Sequence, residues 1–294
     1  MHKYLKAIGF GDSVSKKDLV AVLQKYMNYK ESMEDELYIG DDGSKWAEVK
    51  TYYGDNFGII WCGHLVDEKE FELDYYMPFV DGVYDTKEEQ PSIESKKDVG
   101  VFLGICDDIR IGVSLIFQVQ NSRQCYQWIK ENKELSVPAV AFSGLSLSGR
   151  VLLPIIKEEK NENERKEELQ NRMELITAAR KGDERAIETL TLEDMDTYSK
   201  LSRRIMFEDV FSIVDSSFMP YGLECDLYTI VADIVSVEKT INIITKEEVY
   251  GLVLSCNDFI FNIMINAKDL MGEPLAGRRF KGNLWLQGTI KDLG

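Results

Sequence analysis

Histidine is nearly missing from this chain: 294 residues contain two, His2 and His64. The five cysteines, Cys62, Cys106, Cys125, Cys225 and Cys256, form no CxxC pair. So few scattered ligands argue against a structural zinc site, and no metal or other cofactor is expected. The phosphate cradles GxxxxGKS/T and GxGxxG are absent too, which removes the ordinary nucleotide-binding loops. No apolar run is long enough to span a bilayer; Val113 to Phe117 and Val151 to Ile156 are among the longest. The opening Met1-His2-Lys3-Tyr4-Leu5-Lys6 lacks the apolar stretch of a signal peptide, so a cytoplasmic protein without membrane contact is expected. Positive charge is in deficit: 35 basic residues face 51 acidic ones, for a net charge of -16. The deficit divides evenly on either side of Ile156, so neither half is a basic lobe and no nucleic-acid partner is expected.

What is present is core-forming material. Hydrophobic residues make up 44% of the chain, with 13 Phe, 14 Tyr and 4 Trp, which excludes wholesale disorder. The length suits two domains. The cysteines sit among apolar neighbours, as in Ile60-Trp61-Cys62, and read as buried reduced thiols.

Along the chain, Ser15 caps an expected amphipathic helix carrying Leu19, Val20, Leu23, Tyr26 and Met27, which the acidic stretch Glu31 to Glu36 ends. Strands at Trp46–Tyr53 and Gly58–Leu65 flank the turn Gly54-Asp55-Asn56-Phe57. Glu70–Phe79 alternates apolar and acidic residues, the mark of a half-buried antiparallel strand. A second hairpin joins Val99–Cys106 to Ile109–Val119 through Asp107-Asp108. A short helix near Asn121–Glu131 and strands near Val137–Phe142 and Gly149–Ile156 complete a mainly antiparallel α+β domain, residues 1–156. A charged run, Lys157 to Glu164, opens a helical connector over 157–206. Gly182 and Asp183 separate two of its helices, and Thr191 starts a third whose face includes Leu192, Met195, Tyr198, Leu201 and Ile205. The last domain, 207–294, reads as strands near Cys225–Val235, Thr240–Thr245, Val249–Ser255, Phe259–Asn266 and Phe280–Ile290. A helical turn is expected at Ala267–Met271. This fits a small closed β-barrel, an OB-like one among the options.

Three stretches carry a family likeness: Met1 to Phe10, the run Leu192-Glu193-Asp194-Met195-Asp196-Thr197-Tyr198 through Ser202-Arg203-Arg204, and Phe218 to Asp226. Together they resemble an uncharacterised family of clostridia-type bacterial proteins of about this length, a domain of unknown function. The resemblance covers essentially the whole chain. It implies a cytoplasmic protein of a low-GC Gram-positive bacterium and brings no activity or site residues with it.

The most reactive-looking pair is Cys62 and His64, which share a strand face at i and i+2. A dyad would need a third group to orient the imidazole, and a sheet residue beside a hairpin rim is the ordinary explanation. Ser143-Gly144-Leu145-Ser146-Leu147-Ser148-Gly149 misses the GxSxG spacing and reads as a flexible hairpin loop. The acidic pairs Asp41/Asp42, Asp67/Glu68, Asp107/Asp108 and Glu247/Glu248 fit turns and surface. Trp285, with strict alternation, points out of the barrel among polar neighbours, and cover by the connector helices is expected. No catalytic, cofactor-binding or metal residue is assigned. The favoured reading is a non-enzymatic interaction protein with a protein partner; the alternative is an enzyme or small-ligand binder with a cleft between the two domains.

Overall fold

The computed structural model describes residues 2–11, 17–21, 37–39, 43–65, 71–86, 92–96, 101–108, 110–132, 139–155, 162–205 and 216–293. Most of the first amphipathic helix lies outside them, as do Asp41/Asp42, Asp67/Glu68 and residues 157–161 of the charged run. The fold is α+β. A 3-10 turn, Lys3–Ile8, precedes a four-stranded antiparallel sheet in sequential order: β1 (Leu37–Ile39), β2 (Lys45–Tyr52), β3 (Phe57–Leu65) and β4 (Phe71–Val80). The turn after β2 follows the sequence signal. The second half of β4 is buried on both faces rather than alternating, because Met77 to Val80 run into the rest of the molecule.

The second sheet takes β5 (Asp85–Thr86), β6 (Ser92–Lys96), β7 (Val101–Asp108) and β8 (Val113–Val119). Helix α1 (Ser122–Asn132) follows, then β9 (Ala139–Leu152). The expected loop at Ser143–Gly149 is the middle of β9, and two expected strands are one. Its glycines are there for closeness rather than for turning. A Cβ on Gly144 would lie 2.3 Å from the Leu284 side chain, and one on Gly149 2.3 Å from the Phe280 ring.

Helices α2 (Glu162–Arg180) and α3 (Glu184–Ile205) form a hairpin. Gly182 takes the left-handed φ of 87° that closes α2. The Asp183 carboxylate accepts the backbone N–H of Arg185 at 2.9 Å and of Ala186 at 3.2 Å, opening α3. Thr191 starts no third helix. Its hydroxyl donates to the Ile187 carbonyl at 2.7 Å, a bond made inside a continuing helix.

The remaining strands are β10 (Ser217–Pro220), β11 (Leu227–Ile241), β12 (Glu248–Cys256), β13 (Phe259–Asn266), β14 (Leu270–Met271) and β15 (Arg279–Lys291), with a 3-10 turn at Ala267–Asp269. Residues 227–241 form one long strand with a bulge between Ile234 and Ser236, where two strands were expected. The expected strand at Thr240–Thr245 gives way to a turn because the Asn242 side chain accepts the N–H groups of Ile244 and Thr245 at 2.9 and 3.1 Å.

Five strands close a barrel in the order β11–β12–β13–β9–β15 and back to β11. The β11–β12–β13 meander meets β9 in parallel, β9 pairs antiparallel with β15, and β15 returns antiparallel to β11. The order is OB-like, except that the strand between β13 and β15 comes from earlier in the chain. Thus β9, which falls within the expected first domain, is a stave of the barrel.

Two cores result. One fills the barrel and spreads under β6–β8 and α1, with Phe117, Phe142, Phe261, Phe280 and Leu284 among its fully buried members. The other lies between the first sheet, the N-terminal 3-10 turn and the outer barrel wall. It joins Tyr4, Ile8, Trp61 and Phe79 to Leu145, Val249, Met264 and Trp285. A buried amide network pins the seam: the Gln120 amide donates to the Val80 carbonyl and to Gln287 Oε1, both at 2.9 Å, and Gln287 donates to the Pro78 carbonyl at 2.8 Å.

Candidate functional site

Large apolar side chains stand exposed on the α2–α3 hairpin. Arg172 of α2 bridges to Asp194 at 3.2 Å and to Glu193 at 3.9 Å, and Ala186 is buried, so one side of α3 is committed to its neighbour. Leu192, Met195 and Tyr198 follow at i, i+3 and i+6 and stay 61%, 63% and 73% exposed. Ile187 is exposed as well. Among the described residues no element outside the hairpin packs extensively against either helix. The sequence pattern named this stripe as a helix face. It could not reveal that these side chains stay exposed, because exposure depends on the partners of an element rather than on its own periodicity. Glu188 and Asp196 lie beside the stripe in sequence, which gives it an acidic border.

The reactive-looking pair is not assembled. Cys62 is buried and its thiol is pushed well above the ordinary range, first by burial and then by the Glu48 carboxylate, against a hydrogen bond with Tyr75. A thiol held protonated is a poor nucleophile. His64 turns to the neighbouring strand, with Nδ1 3.0 Å from Asp74 Oδ2 and Nε2 3.5 Å from Glu72 Oε2. The hydrogen bond with Asp74 raises its pKa. The β3–β4 register shifts at this point because β4 carries the extra residue, Asp74, between Leu73 and Tyr75, and it is this bulged residue that meets His64. Ser143 and Ser146 are buried in the barrel wall.

Other carboxylates serve local structure. Asp108 is buried and bound by Arg110 through Nε at 3.0 Å and through the backbone N–H at 2.9 Å, closing the β7–β8 turn. Glu247 meets Lys268 and Glu248 meets Lys239, each at 2.8 Å. Glu48 differs. Burial pushes its carboxyl up to about 7, opposed by Lys50 and by the backbone N–H groups of Arg123 and Ser122 at the start of α1.

Trp285 is covered, but not by the connector helices. Its indole stacks on Tyr4 at 5.0 Å, lies 4.8 Å from the His2 ring, and donates Nε1–H to Asp226 Oδ2 at 2.8 Å. The N-terminal turn is the cover. Nothing in the spacing of that segment announces a 3-10 turn, and in the sequence it carries only the family likeness.

Against protein families, the model described as "Domain of unknown function, E. rectale Gene description (DUF3881)" matches residues 5–288. The chain belongs to the DUF3881 family. The match runs from Leu5 of the N-terminal turn to Gly288 of β15, so it takes in the hairpin and nearly all of both cores, with Tyr4 and Ile290 just outside it. No curated protein and no solved structure gave a match. The DUF3881 description states no activity, so the chemistry of this member is argued from its own surface.

Proposed function

We propose that this DUF3881 protein is a non-enzymatic accessory protein that docks a protein partner on the α2–α3 hairpin. The carrying observation is the stripe of Leu192, Met195 and Tyr198, apolar side chains exposed on an element that, among the described residues, no other element packs against extensively. Covering each side chain fully contributes about 1.5–3 kcal/mol, enough for three residues to anchor an interface. The acidic border selects an amphipathic helix with basic flanks, and the overall charge of -16 steers such a partner inward. The cytoplasm is the proposed site of action. Among the described residues no helix is long and apolar enough to cross a membrane.

Two features favour this reading over catalysis. Among the described residues, the seam between the first sheet and the barrel holds packed apolar side chains and hydrogen-bonded amides. Cys62, the candidate nucleophile, is buried, and that burial pushes its thiol well above the ordinary range. A third feature argues against an oligonucleotide. OB barrels bind strands across their second and third strands; here Val249 of β12 and Met264 of β13 belong to the second core, under the N-terminal turn and the first sheet.

The test is photo-crosslinking in the native host, with a photoreactive residue in place of Tyr198. A crosslinked protein whose capture Met195→Asp abolishes supports the reading. Capture that survives Met195→Asp and Leu192→Asp together overturns it.

A further inference from the structure

Charge is unevenly spread along α3. Up to Thr197 its sequence holds five acids, Glu184, Glu188, Glu193, Asp194 and Asp196, against one base, Arg185. From Tyr198 onward it holds three bases, Lys200, Arg203 and Arg204, and no acid. The helix dipole favours this order, but only within the first and last turns. Glu188, Glu193, Asp194 and Asp196 lie beyond the first turn, so the dipole does not account for them.

The exposed face divides in the same way. Ala186 is buried, and at about 100° per residue it stands half a revolution from Met195, which therefore centres the outward face. Leu192 and Tyr198 lie about 60° to either side of Met195, Glu188 about 20° away and Arg203 about 80° away. Along the axis, Glu188 precedes Met195 by about 10.5 Å and Arg203 follows it by about 12 Å. Both charged side chains are exposed, and among the described residues neither has an ion-pair partner. An apolar centre thus carries an acid on one side and a base on the other, at nearly equal distances.

We propose that the hairpin docks a second copy of this chain, the two α3 helices lying antiparallel about a twofold axis at Met195. The proposal rests on the reading of the hairpin as a docking element and names its occupant. The acidic border calls for a helix with a basic flank, and α3 itself carries that flank in Arg203. A twofold axis at Met195 sets Leu192 against the partner subunit's Tyr198. It also brings Arg203 level with the partner subunit's Ile187, between the partner's Glu184 and the partner's Glu188. A parallel pair would instead set acid on acid and base on base, which opposes association. Because a twofold interface uses one patch twice, three apolar side chains become six.

The experiment sediments the full chain at about 100 µM, well above a micromolar dissociation constant. Salt is held at about 0.15 M, where the repulsion between two copies of charge -16 is screened over about 8 Å. A reversible dimer is expected, and Met195→Asp should return it to monomer. Glu188→Arg and Arg203→Glu should each weaken self-association by about tenfold, because opposed ion pairs become like-charged. Mixed one to one, these two variants should associate more tightly than either does alone, since each then meets the opposite sign. That recovery also shows that both are folded. A wild-type monomer, a dimer of full strength in both charge variants, or a mixture no tighter than its components would overturn the second copy as occupant. The docking reading fails separately. If the chain is monomeric while crosslinking through position 198 in the host still captures another protein, and Met195→Asp abolishes that capture, only the second-copy assignment is overturned.

Discussion

The Trp285 indole stacks on the Tyr4 ring with 5.0 Å between centroids and 25° between planes, joining the barrel's last strand to the chain's first turn. Asn242 reinforces that junction, donating to the Ile8 carbonyl at 2.7 Å, and Thr245 donates to the Gly9 carbonyl at 2.7 Å.

From this contact follows a coupling. Trp285→Ala should destabilise by about 3–5 kcal/mol, as loss of a large buried aromatic does. Combined with Tyr4→Ala in a double-mutant cycle measured by urea unfolding, the two should couple by about 0.5–1.5 kcal/mol. Strict additivity would show that the stack contributes nothing beyond burial.

Barrel closure by β9 predicts the behaviour of a split chain. Residues 1–156 and 157–294, expressed together as two polypeptides, should co-purify as one complex, because β9 pairs with both β13 and β15. Expressed alone, 157–294 lacks a stave and should aggregate or stay unfolded. A monomeric, cooperatively melting 157–294 fragment would contradict the closure.

Stability against pH should carry two opposed signatures. Glu48 keeps its proton longer when folded, with a pKa of about 7 against 4.5 for the ordinary carboxyl. Its contribution is fully present below 4.5 and lost as pH rises through 7, by at most about 3 kcal/mol before solvent screening reduces it. His2 runs the other way: burial first, then Lys3, lowers its pKa to about 4. Its contribution is present above 6.5 and lost as pH falls through 4. Glu48→Gln should flatten the decline of melting temperature between pH 5 and 7.5, and His2→Gln should flatten the acid side. Unchanged slopes in both variants would remove these groups from the account.

Thiol chemistry gives a count. Cys62, Cys106, Cys125 and Cys256 are buried and Cys225 is exposed. One equivalent of a disulfide reagent should react quickly with the native protein, and the remaining four only on unfolding. Cys225→Ser should abolish the fast phase. Fast loss of two or more thiols would mean that the buried set opens readily.

The local elements were largely legible, because they follow from local chemistry. The turn at Gly54–Phe57, helix α1, the Gly182-Asp183 break and the strands flanking Asn257-Asp258 are written in short-range patterns. The α+β class and the closed barrel followed from them. What stayed hidden depends on long-range pairing. Gly144 and Gly149 look like loop residues until Leu284 and Phe280 are known to press against them. Arg150 and Lys281 are 131 positions apart in sequence and look unremarkable until the register sets them face to face. Trp285 takes its cover from Tyr4 and His2 at the opposite end of the chain, a pairing that no local pattern announces.

The provenance of β9 also sets a schedule for synthesis. As the chain leaves the ribosome, β9 emerges more than a hundred residues before β15, the strand with which it shares its longest antiparallel ladder. Throughout that interval its apolar face and its unpaired edge lack their native partners. The barrel cannot shut until β15 is released, so the protein folds late, and a message cut short anywhere before Arg279 yields a chain with an open β edge. For a cell making this protein, slow translation is a cost, and transient help from a chaperone during the wait for β15 is the natural remedy.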